Sequence, residues 1–229
     1  MRDLLVIVPS RGRPGRLAES LRAGLALSEA ETYFAVGYDR DDPFCEAYEA
    51  LSKDFAGQRV FWQSGPRNTL SGWTNHLASH YQGRAARLAS FGDDHVARTQ
   101  GWDAKLLAAI DGMGGSGFAY PNDLQRPDIP EAVVVSADIV QALGWFCLPE
   151  LRHWAVDNVW HDLGMGIGRL KFCSDIVVEH MHWSRGLTPR DYTYRQAGRI
   201  TGQDLRAYSR WCATRREADI ATIKRALGL

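Results

Sequence analysis

Leu4-Leu5-Val6-Ile7-Val8-Pro9-Ser10-Arg11 decides how this 229-residue chain is built. Leu4 to Val8 form an unbroken apolar run of strand length. Continuous rather than alternating apolarity means that both faces of the strand are covered, as in a parallel sheet. A loop with Gly12 and Pro14 follows, and then Leu17, Ala18, Leu21 and Leu25 recur at helical spacing over 16–27. The alternation continues outward from this unit. Strands are predicted over 32–37, 59–62 and 86–91, with helices over 44–52, 70–81 and 101–110. The second half is less regular: strands over 132–135 and 171–179, helices over 138–143 and 157–163, and a helical arm over 205–227. Strand and helix in alternation predict an α/β fold with three layers around a mostly parallel sheet.

Composition fits a globular chain, with 45% hydrophobic and 24% charged residues. No apolar run approaches the roughly 18 residues a membrane span needs. The four cysteines, Cys45, Cys147, Cys173 and Cys212, lack CxxC spacing, and a reduced, cytoplasmic setting is expected. The net charge is zero but unevenly spread. Residues 185–229 hold ten basic and four acidic side chains, +6, against −6 for residues 1–184. An acidic body with a basic arm suits a polyanionic partner, or equally a solvated helical face.

Ligands of open α/β sheets sit beyond the carboxyl ends of the strands. Three polar clusters fall there: Pro9-Ser10-Arg11-Gly12-Arg13, the acidic loop Asp39-Arg40-Asp41-Asp42, and Asp93-Asp94-His95. In a parallel sheet all three share one edge. Adjacent carboxylates with an imidazole are favourable when a cation joins them, and this donor set suits Mg²⁺ or Mn²⁺. If the strand continues, Asp93 and His95 share a face, or Asp94 alone enters the cleft. Arg11, Arg13 and Arg67 are candidate phosphate ligands. Glu179-His180-Met181-His182 places two His at alternate positions, on one face if the strand runs through them. Asp157, between Trp154, Val156 and Trp160, is a candidate general base with a raised pKa, or a helix cap. The glycine-rich 112–117 stretch reads as a loop beside the site.

These clusters occur in the order of a known pattern. The chain resembles the GT-A nucleotide-sugar glycosyltransferases, close to the inverting family typified by bacterial family 2 enzymes and, within it, small bacteriophage-encoded members. The resemblance rests on Val6-Ile7-Val8-Pro9-Ser10-Arg11, Asp39, Gly72-Trp73-Thr74-Asn75, Asp93-Asp94-His95, Leu143-Gly144-Trp145-Phe146 before Asp157-Asn158, and Val178-Glu179-His180. Two positions depart from the pattern, His95 for a usual Asp and Val156 for a usual Glu.

The resemblance implies a GT-A catalytic domain over 1–184, with a donor half to about 110 and an acceptor half beyond it, and the basic arm 185–229 packed on it. It implies a nucleotide-diphosphate sugar donor, a UDP-sugar first, held by Pro9, Ser10, Arg11, Arg13, Asp39, Arg67, Asn75 and Asp93. Mn²⁺ or Mg²⁺ would be held by Asp94 and His95 with His180 or His182, and Asp157 would be the catalytic base. The acceptor stays open between a hydroxymethylated base in DNA, a protein and an envelope glycan. Two other readings stay open: a nucleotidyltransferase, to which Ser10-Arg11-Gly12-Arg13-Pro14-Gly15 is close, and a non-catalytic binding module.

Overall fold

The computed structural model describes residues 2–186 and 191–229. Arg190 of the basic segment lies outside the described residues, as do the side chains of Arg185 and Tyr194. Among the described residues eight strands form one sheet. They are β1 (Arg2–Ser10), β2 (Thr32–Asp39), β3 (Val60–Gly65), β4 (Ala85–Ser90), β5 (His95–Ala97), β6 (Phe118–Asn122), β7 (Val133–Ser136) and β8 (Leu170–His180). Their order is β3-β2-β1-β4-β7-β6-β8-β5. β1 pairs in parallel with β2 and β4, and β2 in parallel with β3. β7 runs antiparallel to both β4 and β6, β6 is parallel to β8, and β5 is antiparallel to β8.

The helices are α1 (Pro14–Ala26), α2 (Cys45–Asp54), α3 (Leu70–His80), α4 (Trp102–Asp111), α5 (Ala137–Leu143), α6 (Val156–Gly166), α7 (Tyr192–Thr214) and α8 (Arg216–Leu227). The two-faced burial expected of the first strand is present. Leu4, Val6 and Val8 pack with Leu17 and Leu21 of α1, while Leu5 and Ile7 pack on the other face with Trp73 and Leu77 of α3. β7 does the same, Val134 on one face and Val133 and Val135 on the other.

Two expectations need correction, and two strands lie outside those predicted. The C-terminal segment is two helices broken at Arg215 rather than one helix over 205–227, and it contributes to the core: Trp211, Ile220 and Ile223 are buried in the cluster that holds α3, α5 and α6. β5 and β6 carry no local signal, because three residues are too few to show a period and Phe118-Ala119-Tyr120-Pro121 contains a proline. The glycine-rich 112–117 loop lies at the start of β6. β6 runs in the same direction as β4, so that loop sits at the opposite edge of the sheet from the three polar clusters.

The strand directions gather the polar chain ends. β1, β2, β3, β4, β6 and β8 all finish at one edge, and β5 and β7 begin there. Ser10, Asp39, Asp93, Asp94, His95, Asp123, Glu131 and His180 therefore come together although 170 residues of sequence separate the first from the last.

Candidate functional site

The loop after β1 is rigidly wired. Ser10 Oγ donates to Asp93 Oδ2 at 2.7 Å and lies 2.7 Å from the Tyr48 hydroxyl. Gly12 N–H donates to Asp42 Oδ2 at 2.6 Å and Arg13 N–H to Tyr48 Oη at 3.0 Å. These amides are thereby committed to side chains, unlike the open N–H groups of a phosphate-cradling loop. Arg11 Nη1 donates to Asp39 and to Asp41, each at 2.6 Å. Arg67 follows β3, exposed, with its charge felt at Asp41.

Asp39 is buried and satisfied. Its Oδ1 accepts from Asn68 N–H at 2.9 Å and Trp73 Nε1 at 2.7 Å, and its Oδ2 from Arg11. The indole reaches it because Gly37 and Gly65 have no Cβ; one added there would lie 2.6 Å and 2.8 Å from the Trp73 ring. Asn75 works elsewhere. Its Oδ1 accepts from Phe146 and Cys147 N–H, each at 2.8 Å, and its Nδ2 donates to Cys147 O at 2.8 Å. It pins the 146–147 turn to α3, with every polar atom of the amide engaged.

Asp93 and Asp94 lie in the turn between β4 and β5, not on a strand, so the alternation argument for Asp93 and His95 does not apply. Arg13 Nη1 donates to both carboxylates at 3.2 Å, and all three side chains are buried. Burial raises the Asp93 carboxyl to about 6 against the pull of Arg13. Asp94 is held well below the usual carboxylate range: burial opposes this, but the nearby His180 ring and the charges of His180, His95 and Arg13 outweigh it.

His95 and His180 face each other as register partners of β5 and β8. Their rings stack at 4.3 Å between centroids. His95 Nδ1 accepts from Gly92 N–H at 2.8 Å, which puts the proton of the neutral ring on Nε2. Burial, with the His180 charge, lowers its pKa to about 3. Its Nε2 is buried without a hydrogen-bond partner among the described residues. His180 Nε2 lies 3.5 Å from Asp94 Oδ1, and its Nδ1 lies 2.6 Å from Glu131 Oε2. Burial disfavours charge on His180, but these two carboxylates prevail and raise its pKa to about 10. His182 is not its partner on one strand face. β8 ends at His180, and His182 caps the short 3₁₀ turn Trp183–Arg185, its Nδ1 2.7 Å from Ser184 Oγ.

Two carboxylates escaped the sequence reading. Asp123 follows β6, buried, its Oδ1 accepting from Gln125 and Arg126 N–H while Oδ2 has no partner among the described residues. Glu131 precedes β7. The available signal is a further strand that ends in acid, Asn122-Asp123, on a strand that its proline disguises. Asp94, His95 and His180 offer ligand atoms within 4.8 Å of one another, and so do Asp123, Glu131 and His180. Carboxylate oxygens with the His180 ring nitrogen, beside the orphaned buried Oδ2 of Asp123, fit a Mn²⁺- or Mg²⁺-class ion.

Asp157 is the second residue of α6, not its cap; Ala155 occupies that place with φ 62°. Its carboxyl is raised to about 6, chiefly by burial, with Glu131 adding and the Asn158 N–H opposing. The loop before it, 152–154, gives three successive N–H groups to the buried Asp204 of α7, at 3.2, 2.9 and 2.8 Å. His153 in that loop is deprotonated more easily than usual, because burial and the Arg13 charge outweigh Asp204 and Asp94. The start of α7 also reaches the site: Asp191 pairs with Arg13, and Thr193 Oγ1 donates to the Arg11 carbonyl at 2.9 Å.

No protein-family model matches the chain, and no curated protein matches it by sequence. Solved structures do. The mannosyltransferase PcManGT from Pyrobaculum calidifontis, in complex with GDP-Man and Mn²⁺, superimposes with a TM-score of 0.61 at 12% identity, over 100% of this chain and 76% of that one. S. aureus TarS 1–349 does so at 0.58 and 12% identity, over 81% of this chain and 63% of that one. Its complex with UDP-GlcNAc gives 0.59 at 14%, over 78% and 60%. At these identities the likeness is one of fold: the chain has a mixed α/β, Rossmann-like glycosyltransferase fold. It spans 63% of the TarS fragment's length. Among the described residues no helix is long and apolar enough to cross a membrane.

Proposed function

We propose that this chain is a metal-dependent glycosyltransferase that moves a sugar from a nucleoside-diphosphate sugar to an acceptor hydroxyl with inversion. The observation that carries the reading is the gathering of Asp93, Asp94, His95 and His180 on the carboxyl edge of the sheet, with the half-buried acid Asp157 at the start of α6. The fold supports it, because solved structures with this architecture hold UDP-GlcNAc or GDP-Man with Mn²⁺.

Asp94 and His180 would hold the ion, with His95 stacked on His180, and a bound ion supplies positive charge to the donor diphosphate. Arg11 and Arg67 lie where β1 and β3 end and suit the nucleotide side of the donor. Asp157 accepts the acceptor's hydroxyl proton as the oxygen bonds to the anomeric carbon. The electron pair of the broken bond from sugar carbon to phosphate oxygen leaves with the nucleoside diphosphate. An acid with a pKa near 6 is ionised at neutral pH yet basic enough to take that proton.

For the acceptor, the outward face of α7 favours a polyanion, and a hydroxymethylated base in DNA is the form considered. Arg195, Arg199, Arg206 and Arg210 recur every four or seven residues, all exposed, while the helix's acid Asp204 is turned inward. DNA binding should weaken with salt and with Arg206→Glu plus Arg210→Glu; salt-insensitive or absent binding at low salt removes nucleic acid.

The decisive assay incubates the chain with UDP-Glc, UDP-GlcNAc or GDP-Man and Mn²⁺. Release of nucleoside diphosphate supports the reading. Release of pyrophosphate from a nucleoside triphosphate and sugar phosphate would instead indicate nucleotidyl transfer, and binding without turnover a non-catalytic module.

A further inference from the structure

The role of Glu131 follows from the position of His180. The imidazole is gripped at both ends, by Glu131 Oε2 at 2.6 Å from Nδ1 and by Asp94 Oδ1 at 3.5 Å from Nε2. The shorter contact is a full hydrogen bond and the longer is not. A carboxylate only accepts, so Nδ1–H donates to Glu131. The neutral ring then carries its lone pair on Nε2, the nitrogen turned toward Asp94. His95 is the mirror case, since Gly92 N–H donates into its Nδ1 at 2.8 Å and the Nε2 lone pair is lost to a proton. Of the two stacked imidazoles, His180 is the one whose Nε2 can meet an ion, once that ion displaces the proton facing Asp94, and the difference between them is Glu131.

We infer that Glu131 is a positioning residue of the cation site: it fixes the tautomer and direction of His180 so that Nε2 and Asp94 face one ion. This rests on the metal-dependent reading above. The fold explains why the partner is Glu131. β7 runs against its neighbours, so the residues just before it meet the end of β8. The His180 main chain is fixed independently, its N–H donating to Asp123 O at 3.2 Å and its carbonyl accepting from Gln125 Nε2 at 2.9 Å. Backbone and ring are thus held by separate contacts, and removal of Glu131 frees the ring alone. Outer carboxylates of metal-bound His are typically worth about 10- to 100-fold in metal affinity.

The test measures Mn²⁺ affinity of the full chain by electron paramagnetic resonance, with Mn²⁺ alone and with Mn²⁺ plus UDP. Glu131→Gln should weaken Mn²⁺ by about 10- to 100-fold. Glu131→Asp should recover part of the loss, and the metal-free melting temperature of both should stay near that of wild type. Asp94→Asn should lose Mn²⁺ more completely. Wild-type affinity in Glu131→Gln, with the wild type binding normally, overturns the positioning role and leaves the metal reading intact. A loss in Asp123→Asn matching that of Glu131→Gln, with Asp94→Asn unaffected, overturns it too, because the ion then sits among Asp123, Glu131 and His180. A wild type that binds no Mn²⁺ in either condition overturns the metal reading itself.

Discussion

Arg13 and Asp191, 178 residues apart in sequence, form a two-bond ion pair, Nε to Oδ2 at 2.6 Å and Nη2 to Oδ1 at 2.9 Å. The same guanidinium reaches Asp93 and Asp94 through Nη1. One buried cation thus serves three carboxylates and ties the C-terminal helices to the loop after β1. A guanidinium can do this because its five N–H donors lie in one planar fork.

Arg13→Gln should therefore act on stability and metal demand together. Removing one partner of a buried ionic network costs about 3–5 kcal/mol, because the remaining charges stay buried. A cation added at the site replaces some of the missing charge. We expect a lower melting temperature without metal, and a larger upward shift on adding Mn²⁺ than the wild type shows. Thermal melts with and without Mn²⁺ check this; equal shifts would mean that Arg13 and the ion do not share a field.

Asp204 should matter to transfer more than to donor binding. Its carboxylate collects the N–H groups of Arg152, His153 and Trp154, a few residues before Asp157. Asp204→Ala leaves those donors without their acceptor, at a cost of about 1–3 kcal/mol. The loop that leads into α6 then loses its anchor, while the donor side, built on β1 to β4, keeps its contacts. Titration of UDP with Mn²⁺ should give a near-normal Kd, and sugar transfer should fall at least tenfold. A matching loss in both would place Asp204 in general stability alone.

Most of the first half of the fold is legible in the sequence. Leu4 to Val8, Thr32 to Gly37 and the loops that end them carry their signal locally, as apolar runs stopped by polar residues. The candidate cation site is half legible: Asp94 and His180 stand at recognisable strand ends, but Glu131 is a single acid in an irregular segment. Nothing local marks it, because its meaning depends on β7 running antiparallel beside β6. Asp191 and Asp204 were counted as charges in a basic arm. Their roles depend on where α7 docks, which long-range packing through Trp211 decides. Asn75 lay in a motif read as donor-binding, yet its amide closes a turn, since an Asn side chain satisfies backbone groups as readily as it binds a ligand.

Ligand linkage tests the donor site without any assumption about the acceptor. A nucleoside diphosphate at about 100 times its Kd, with Mn²⁺, should stabilise the fold by about 2.7 kcal/mol. Asp94→Asn keeps the shape and removes the charge, so the same additions should shift its melting temperature little. Failure of UDP and GDP alike to shift the wild type would remove the donor-site assignment.

Asp157 gives the sharpest pH forecast. Its carboxyl is raised from 3.8 to about 6, so the folded chain holds this proton more tightly than the unfolded chain does. The stability that the proton contributes is complete below about pH 4 and is lost as pH rises through about 6. Near pH 8 the ionised carboxylate then costs the fold up to about 3 kcal/mol. Asp157→Asn removes the ionisation, so its melting temperature should exceed that of wild type near pH 8 and approach it near pH 4. The catalytic effect has the opposite sign. Wild-type transfer should climb as Asp157 ionises, level off above about pH 7, and fall by about 10²- to 10⁴-fold in Asp157→Asn. A residue that only stabilised the start of α6 would behave differently, since Asn would serve there nearly as well and the rate would hardly change. Melts across pH together with initial transfer rates separate the two. A variant that is more stable near pH 8 but unimpaired in transfer would show a half-buried acid with no part in the chemistry.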